Sequence, residues 1–581
     1  MTVDTAAGGR PPGTRPPVLP SGEDPLVAGA TQLIGGPPGR RVLLGERRFW
    51  SPLRWLLLLT LVTCALGFWQ KAPCRVHDWS EEYQYTRACY TDVLALWYAE
   101  RLDQGATPYL DHPVEYPVVI GGAMALAEAF VDDLVELRAG GRLRDAERGL
   151  QDALDAGPGG SQREQDARTE LAAAEANARA HSFFDLSWVL LTVGALVVVV
   201  TTARLAGPRR VWDAALVAVA PALALHLTTN WDLLATALAG AGLLAWARRR
   251  PVLAGVLLGL GTATKLYPLV FLLPLLALCW RAGRLQEGLR TAVALAMTAA
   301  AVTVPVYLVS PSFAEVDGVQ TVVAAPPLDR LGSEGLSALR PHVTALAPGG
   351  GEPVEGVNAV YRFVELNAER PADWDSLHYA LSRTRDSLDG PLGAAYGGLA
   401  DLVLGPAGAS ADERLNLSVA IGTVLALAAV VLLAVRAPRR PRLPQLLFLT
   451  VVGFLLVNKV WSPQYVLWLL PLAALARPRW RPFLAWQAAE AAVLLTRFYF
   501  FVSMPYGEGD QTSEGIDVAW FLSAVVVRDV ALLLLAAAVV RDVLRPEEDV
   551  VRADGDDDPA GGVLDGAPDV SRRGGPAPAR A

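Results

Sequence analysis

The stretch VLAGVLLGLGTATKLYPLVFLLPLLALCW, residues 252–280, decides the class of fold. It is almost wholly apolar, yet arginines flank it on both sides, at positions 248–250 and at Arg281. Arginine-rich flanks favour the cytoplasmic side of a membrane, so a single crossing would put one flank on the wrong side. We therefore predict two short membrane segments that run outward and back and meet near Lys265 and Pro268.

Similar apolar runs of about 15 to 25 residues recur from position 54 to position 541, and 52% of the chain is hydrophobic. These features predict an all-α, polytopic transmembrane helical protein with about 12 membrane segments. The arginine clusters put both termini in the cytoplasm and indicate a multi-pass protein of the plasma membrane. Besides the 252–280 pair and the first run, Trp55 to Trp69, the predicted crossings are 183–203, 211–229, 231–247, 290–309, 415–435, 443–457, 464–476, 482–502 and 517–541.

The run 116–131 does not fit this scheme, because Gly121 and Gly122 interrupt it. We expect it to re-enter the membrane or to lie at the interface; a full crossing would reverse the orientation of the helices that follow.

The remaining segments divide the chain into domains. The tails are rich in Pro, Gly, Ala and, at the C-terminus, Asp, so they are predicted to be disordered. No feature suggests a nucleic-acid partner. The predicted units are the N-terminal tail 1–38, the transmembrane domain 54–541 with a first outer loop 70–115, a polar helical insertion 132–181 and a large outer loop 310–412 that is a cap or loop domain at most, and the acidic tail 546–581.

The stretch TDVLALWYAERL, residues 91–102, predicts an amphipathic helix in the first outer loop that lies at the water–lipid interface. Leu94, Trp97 and Tyr98 share its apolar face. Asp92 stands at the start of the helix, where two interpretations are open. Asp is a preferred N-cap residue, and a carboxylate at this boundary can also accept a proton in catalysis.

Charged residues inside apolar runs are costly and are therefore functional candidates. Lys265 lies within the broken run, and Lys459 and Arg497 lie near the outer ends of predicted helices. All three are candidates for binding a phosphate. The alternative for Lys459 and Arg497 is that their long side chains simply reach toward lipid headgroups.

Several short motifs together carry a family resemblance. The Asp that opens the outer-loop helix is followed by GATPYLDHPVEYP (105–117), GLGTATKLYPL (259–269) and NKVWSPQYVLWLLPL (458–472). In this order they resemble the polyprenol-dependent membrane glycosyltransferases of family 87, within the broad GT-C class. The similarity extends over about residues 54 to 541, without the loops 132–181 and 310–412.

The resemblance implies a GT-C fold and a specific reaction. Such an enzyme takes a sugar, with mannose the family-level expectation, from a polyprenyl-phosphate donor. It passes the sugar with inversion to a hydroxyl of a cell-envelope glycolipid or glycan on the outer face of the membrane. An acid of the first outer loop serves as general base; Asp92 is the matching position, and Glu115 is the alternative.

The other expected site residues surround this reaction. Lys265, Lys459 and Arg497 are expected to bind the donor phosphate. The residues expected at the substrate site are Tyr109, Tyr116, Trp461 and Gln464. No cofactor or metal is expected, because the sequence has no paired-carboxylate or His/Cys cluster with ligand spacing. The expected partners are the lipid donor, the acceptor and membrane lipids.

Two further questions stay open at the level of sequence. Cys74 and Cys89 share the first outer loop and either form a disulfide or remain two free thiols. The function has two competitors, a lipid or solute transporter or flippase and a non-catalytic membrane scaffold. A transporter also needs intramembrane charges and broken helices, but it does not need a carboxylate on an interfacial helix followed by the re-entry at Glu115 to Pro117.

Overall fold

A computed structural model describes residues 24–33, 51–76, 82–155, 161–346, 353–385, 390–404, 412–504, 515–553 and 555–570. Helices dominate throughout. Before the large outer loop they are α1 (Pro25–Leu33), α2 (Pro52–Val76), α3 (Tyr83–Thr86), α4 (Asp92–Ala99), α5 (Val118–Glu128), α6 (Val131–Asp155), α7 (Ser161–Leu205), α8 (Ala215–Ala218), α9 (Pro221–His226), α10 (Asp232–Ala247), α11 (Pro251–Thr264), α12 (Leu272–Arg281) and α13 (Leu285–Val309).

The large outer loop forms a small domain, which we call the cap. Its elements are β1 (Ser312–Val316), β2 (Val319–Ala324), α14 (Pro327–Glu334), β3 (His342–Leu346), β4 (Pro353–Asn358), α15 (Arg362–Glu369), α16 (Leu377–Thr384) and α17 (Gly390–Leu404). The chain ends with α18 (Asp412–Arg436), α19 (Leu443–Val457), α20 (Val466–Ala476), α21 (Trp480–Val502), α22 (Val518–Leu544) and α23 (Val550–Ala553).

Several helices have the length and composition of membrane segments. Within the described ranges, five helices are long and apolar enough to cross a membrane, namely α2, α7, α13, α18 and α22. Shorter apolar helices, including α10, α11 and α19, pack among them. The chain is thus a mainly helical membrane protein, and the number of about 12 membrane segments stays a prediction.

The 252–280 stretch forms the predicted pair of short helices. α11 ends at Thr264, Lys265 is extended (φ −150°, ψ 141°), and a 3₁₀ turn at Tyr267–Phe271 leads into α12. Gly255 lets α11 pack closely on α13, because a Cβ there would lie 2.3 Å from the carbonyl oxygen of Thr291. The hairpin presents Lys265 at its tip.

The two ends of the helix bundle differ in charge. At one end, four helices finish at or next to an arginine, namely α7, α10, α12 and α18. We call this end the arginine-rich face. The opposite end holds α4, the start of α10, the tip of the α11–α12 hairpin and the cap, and we call it the site face.

The predicted crossing 211–229 is not one continuous helix, so that expectation is wrong in detail. The segment consists of a 3₁₀ turn, α8 and α9. Pro221 cannot donate a backbone hydrogen bond and disfavours helical geometry at the residue before it. Ala220 accordingly has ψ 126°, and the helix breaks there.

The stretch 116–131 becomes α5, whose 11 residues span about 16 Å. A hydrocarbon core is about 30 Å thick, so α5 is too short to cross it, which supports re-entry. The described residues of the insertion, 132–155 and 161–181, belong to α6 and to the polar first half of α7, and these two helices pack against each other.

The cap contains a four-stranded antiparallel sheet of order β2-β1-β4-β3, which our all-α prediction did not include. Asp317 and Gly318 both have positive φ (51° and 76°) in the tight turn that joins β1 to β2. Asp-Gly is a preferred pair for such hairpin turns, so this element had a recognisable local signal.

The N-terminal tail is not disordered throughout, contrary to the prediction for 1–38. Pro25–Leu33 is a helix, and the carboxylate of Asp24 accepts a hydrogen bond of 3.2 Å from the backbone N–H of Trp480. The rest of 1–38 lies outside the described residues.

The prediction of a disordered acidic tail from 546 is wrong for residues 546–553 and 555–570. Asp549 lies 2.7 Å from the guanidinium of Arg442, and Asp569 lies 2.5 Å from that of Arg281. Both arginines are almost fully buried at the arginine-rich face. Buried charges need partners, so the acids of the tail pack against the bundle; residues 571–581 lie outside the described residues.

The helix α4 is more buried than an interfacial helix would be. Trp97 is 1% exposed, and its ring centroid lies 4.7 Å from that of Phe183 on α7, whereas Tyr98 is exposed. The apolar face that we expected to contact lipid therefore packs on protein. Cys74 and Cys89 form a disulfide that joins the end of α2 to the approach to α4.

Candidate active site

Asp92 does not cap its helix, because Thr91 does. The hydroxyl of Thr91 accepts a hydrogen bond of 3.2 Å from the backbone N–H of Val93 and donates one to the carbonyl of Thr228. Asp92 is the first helical residue and is half-buried. The N-cap role, which was the alternative to catalysis for Asp92, therefore belongs to Thr91.

The carboxylate of Asp92 points toward a polar cluster on the site face. The side-chain amide of Asn230 donates a hydrogen bond of 2.7 Å to Oδ2 of Asp92 and another of 2.7 Å to the hydroxyl of Tyr116. Tyr90 also hydrogen-bonds the carboxylate. Asn230 thus joins the outer-loop helix, the re-entry at Tyr116 and the start of α10.

The environment of Asp92 alters its acidity. Burial raises the pKa of Asp92 above its usual value, while the hydrogen bonds from Asn230 and Tyr90 and the charge of Lys265 oppose that rise. The carboxylate is thereby a stronger base than an exposed one, as a general base requires.

A buried ion pair lies beside this cluster. Nζ of Lys265 is 3.5 Å from Oδ2 of Asp232, and the indole N–H of Trp468 donates a hydrogen bond of 2.7 Å to Oδ1 of the same carboxylate. Asp232 is fully buried and provides no cap for α10, although its position at a helix start favours capping.

Aromatic rings surround Lys265. Its ammonium lies 4.6 Å from the ring centroid of Tyr116 and 5.7 Å from that of Tyr465. Trp468 stacks between Tyr267 and Tyr465, at centroid distances of 4.5 and 4.0 Å. This packing holds a positive charge at the tip of the α11–α12 hairpin, next to a cavity.

The cavity has a volume of about 340 Å³ and lies between the hairpin, the cap and α18–α20. One part of its wall is polar and the other is apolar. The polar part includes Glu115, Tyr116, Lys265, Asn367, Arg370, Asn416, Asn458, Lys459 and Gln464, and the apolar part includes Phe363, Val364, Leu366, Val419, Phe454 and Val460. Such a wall suits an amphiphilic ligand with an anionic head.

Five of the residues expected from sequence line this cavity, namely Glu115, Tyr116, Lys265, Lys459 and Gln464. Asp92 is joined to its wall through Asn230 and Tyr116.

Three other expected residues, Arg497, Trp461 and Tyr109, do not line this cavity. Arg497 pairs with Asp375 of the cap, at 3.1 Å. The guanidinium carbon of Arg528 lies 3.8 Å from the ring centroid of Trp461, so the two side chains stack. Tyr109 is 3% exposed, and its hydroxyl donates to the carbonyl of Tyr116. Their expected roles in binding stay predictions.

Sequence reasoning missed Arg370. It lies where α15 ends, followed by Pro371, and its side chain contacts Glu115 across the cavity mouth. No local pattern marks it, because its partner is 255 positions away. Sequence reasoning also missed the bridging role of Asn230, because that role depends on a contact across 138 positions.

No group of three or more His, Cys, Asp or Glu side chains in the described part of the chain is arranged to hold a metal ion. The expectation that the protein needs no cofactor or metal stays a prediction.

Comparison with known families agrees with the motifs. Residues 182–322 match the family model of glycosyltransferase family 87, a segment that includes Asn230, Asp232 and Lys265. No curated protein matches the chain significantly. The match is to the family that the motifs indicated, and glycosyltransferase family 87 indicates a glycosyltransferase.

Proposed function

We propose that this glycosyltransferase moves a sugar from a polyprenyl-phosphate donor to a hydroxyl of a cell-envelope glycolipid or glycan, with inversion, on the outer face of the plasma membrane. The observation that carries the proposal is the position of Asp92. Its carboxylate is held by Asn230, and Asn230 in turn contacts Tyr116 in the wall of a cavity that carries Lys265, Arg370 and Lys459.

The proposed reaction is a displacement at the anomeric carbon. Asp92 accepts the proton of the acceptor hydroxyl while the hydroxyl oxygen forms its bond to that carbon. The bond between the anomeric carbon and the phosphate oxygen breaks on the opposite side, and its electron pair leaves with the polyprenyl phosphate. Attack opposite the leaving group inverts the configuration.

The cavity supports a lipid-linked donor in two ways. Cationic side chains at its polar end compensate a phosphate. Its apolar wall at Val419 and Phe454 lies on α18 and α19, and α18 is mostly exposed along its apolar length, where a prenyl chain would meet lipid. A nucleotide sugar has no prenyl chain that could contact this apolar wall.

The test is a direct transfer assay. Membranes containing the expressed protein, and matched membranes without it, are incubated with radiolabelled polyprenyl-phospho-mannose, with other polyprenyl-phospho-sugars or with nucleotide sugars. We expect label to pass from one lipid-linked donor to an envelope acceptor only when the protein is present. Transfer from nucleotide sugars alone would contradict the proposed donor class.

A further inference from the structure

The ion pair between Glu115 and Arg370 closes the mouth of the cavity with weak contacts. Nη2 of Arg370 is 3.3 Å from Oε2 of Glu115, and the two side chains are 41% and 31% exposed. Pairs this accessible contribute about 0 to 1 kcal/mol, so the pair separates at little cost.

The backbone around Arg370 is held much more firmly than its side chain. Nζ of Lys459 donates a hydrogen bond of 2.8 Å to the carbonyl of Ala368, and the amide of Asn416 donates one of 2.9 Å to the same oxygen. On the other side of Arg370, the N–H of Asp373 donates to the carbonyl of Lys459 at 2.7 Å. Arg370 is therefore fixed at the cavity while its guanidinium can exchange partners.

The charged groups around the cavity differ in how strongly they are engaged. Lys265 faces the fully buried Asp232, whose indole partner Trp468 holds it in place. Arg370 faces a half-exposed carboxylate. A guanidinium binds carboxylate and phosphate with the same fork of N–H donors, so one anion can replace the other at Arg370 without a change in its geometry.

We propose that Glu115 is a placeholder for the donor phosphate: it pairs with Arg370 when no donor is bound, and the entering phosphate takes its position on the guanidinium. This inference rests on the proposed function. The donor phosphodiester carries one negative charge, so the exchange leaves the charge next to Arg370 unchanged. After transfer, the leaving polyprenyl monophosphate is more negative, and the carboxylate repels it and competes for Arg370, which favours release.

The placeholder predicts a gain in lipid-phosphate binding that the general-base alternative for Glu115 does not predict. Glu115→Gln removes the competing charge, so polyprenyl monophosphate should bind about two- to fivefold tighter, the fold-change that corresponds to an exposed pair. Arg370→Gln should weaken binding about tenfold or more, as loss of a charge-assisted hydrogen bond does. In the double variant, Glu115→Gln should give no gain, because its effect acts through Arg370.

Binding of polyprenyl monophosphate to the purified full chain in nanodiscs measures these effects, with thermal unfolding as the check on folding. Glu334→Gln is the matched control, because it breaks an Arg–Glu pair of the cap, with Arg330 at 3.0 Å, that lies outside the cavity wall. It should leave binding unchanged.

The outcomes separate the two levels of the proposal. If the wild type binds the lipid phosphate but Glu115→Gln binds it no tighter, or gains equally without Arg370, the placeholder is wrong and the donor class stands. If Glu115→Gln binds normally and loses turnover, Glu115 is a base and the placeholder is wrong. If the folded wild type binds no polyprenyl phosphate, the donor class and the placeholder fail together.

Discussion

Thr91 and Asp92 are consecutive residues with good capping side chains, and the structure gives them different roles. Thr91 caps α4, and Asp92 turns toward Asn230. Sequence identified Asp92 as either a cap or a base, and it could not choose because the choice depends on a contact with α10 rather than on the helix itself. The family motif favoured catalysis for the same residue.

The link between Asn230 and Asp92 predicts how activity depends on pH. The base must be ionised, so activity falls as pH drops through the pKa of Asp92, which burial places above the ordinary value of 3.8. The amide of Asn230 stabilises the carboxylate and lowers that pKa. Asn230→Ala should therefore shift the acidic limb of the kcat profile to higher pH. An unchanged limb, or a shift to lower pH in a folded variant, would contradict this role.

At the scale of elements, the sequence predicted features that depend on neighbouring residues, such as turns and helix breaks. The hairpin at 252–280 followed from its arginine flanks and Pro268, and the break at Pro221 was available to the same reasoning. Asp317 and Gly318 marked a hairpin in the cap that we did not recognise. The position of Arg370 had no such signal, because it arises where the cap meets the re-entry.

The hairpin tip allows Lys265 to be tested without confusing binding with stability. Lys265→Met removes the cation next to a buried carboxylate, which should cost about 3–5 kcal/mol of unfolding free energy. The double variant Lys265→Met with Asp232→Asn removes both charges and should recover most of that stability.

Donor KM then decides the role of Lys265. If it binds the donor phosphate, KM for the lipid donor should remain raised in the stable double variant. A wild-type KM in the double variant would mean that Lys265 serves only to neutralise Asp232.

At the scale of the whole molecule, the composition of the C-terminal segment led to a wrong prediction of disorder. Its acidic, Gly-rich sequence resembles a disordered tail, but its carboxylates complement the arginines at the helix ends. Asp549→Asn should remove the carboxylate in contact with the buried guanidinium of Arg442 and lower the unfolding free energy by about 3–5 kcal/mol.

Thermal unfolding in detergent measures this effect, and Asp556→Asn is its control. Asp556 pairs with the exposed Arg209 at 3.6 Å, so its loss should cost about 0 to 1 kcal/mol. Equal effects of the two substitutions would contradict the role of buried charge in holding the segment.

The proposed orientation puts the cap and the α6–α7 hairpin outside the cell and the arginine-rich face inside. Single cysteines at Leu336 and Glu170, which are exposed, should react with an impermeant reagent in intact cells, and one at Glu547 should react only after lysis. The background replaces the buried thiols Cys64 and Cys279 and keeps the Cys74–Cys89 disulfide. The reverse labelling pattern would place the candidate site in the cytoplasm.

The central claim, that Asp92 is the general base, is tested most directly by single-turnover transfer with a bound lipid donor in Asp92→Asn. Asn keeps an oxygen for the hydrogen bond from Asn230 but accepts no proton, so the rate should fall ~10²–10⁴-fold while donor binding and thermal stability stay close to wild type. Asp111→Asn, an exposed neighbour whose carboxylate accepts from the N–H of Thr107, should keep the wild-type rate. Most of the wild-type rate retained in Asp92→Asn would contradict the claim.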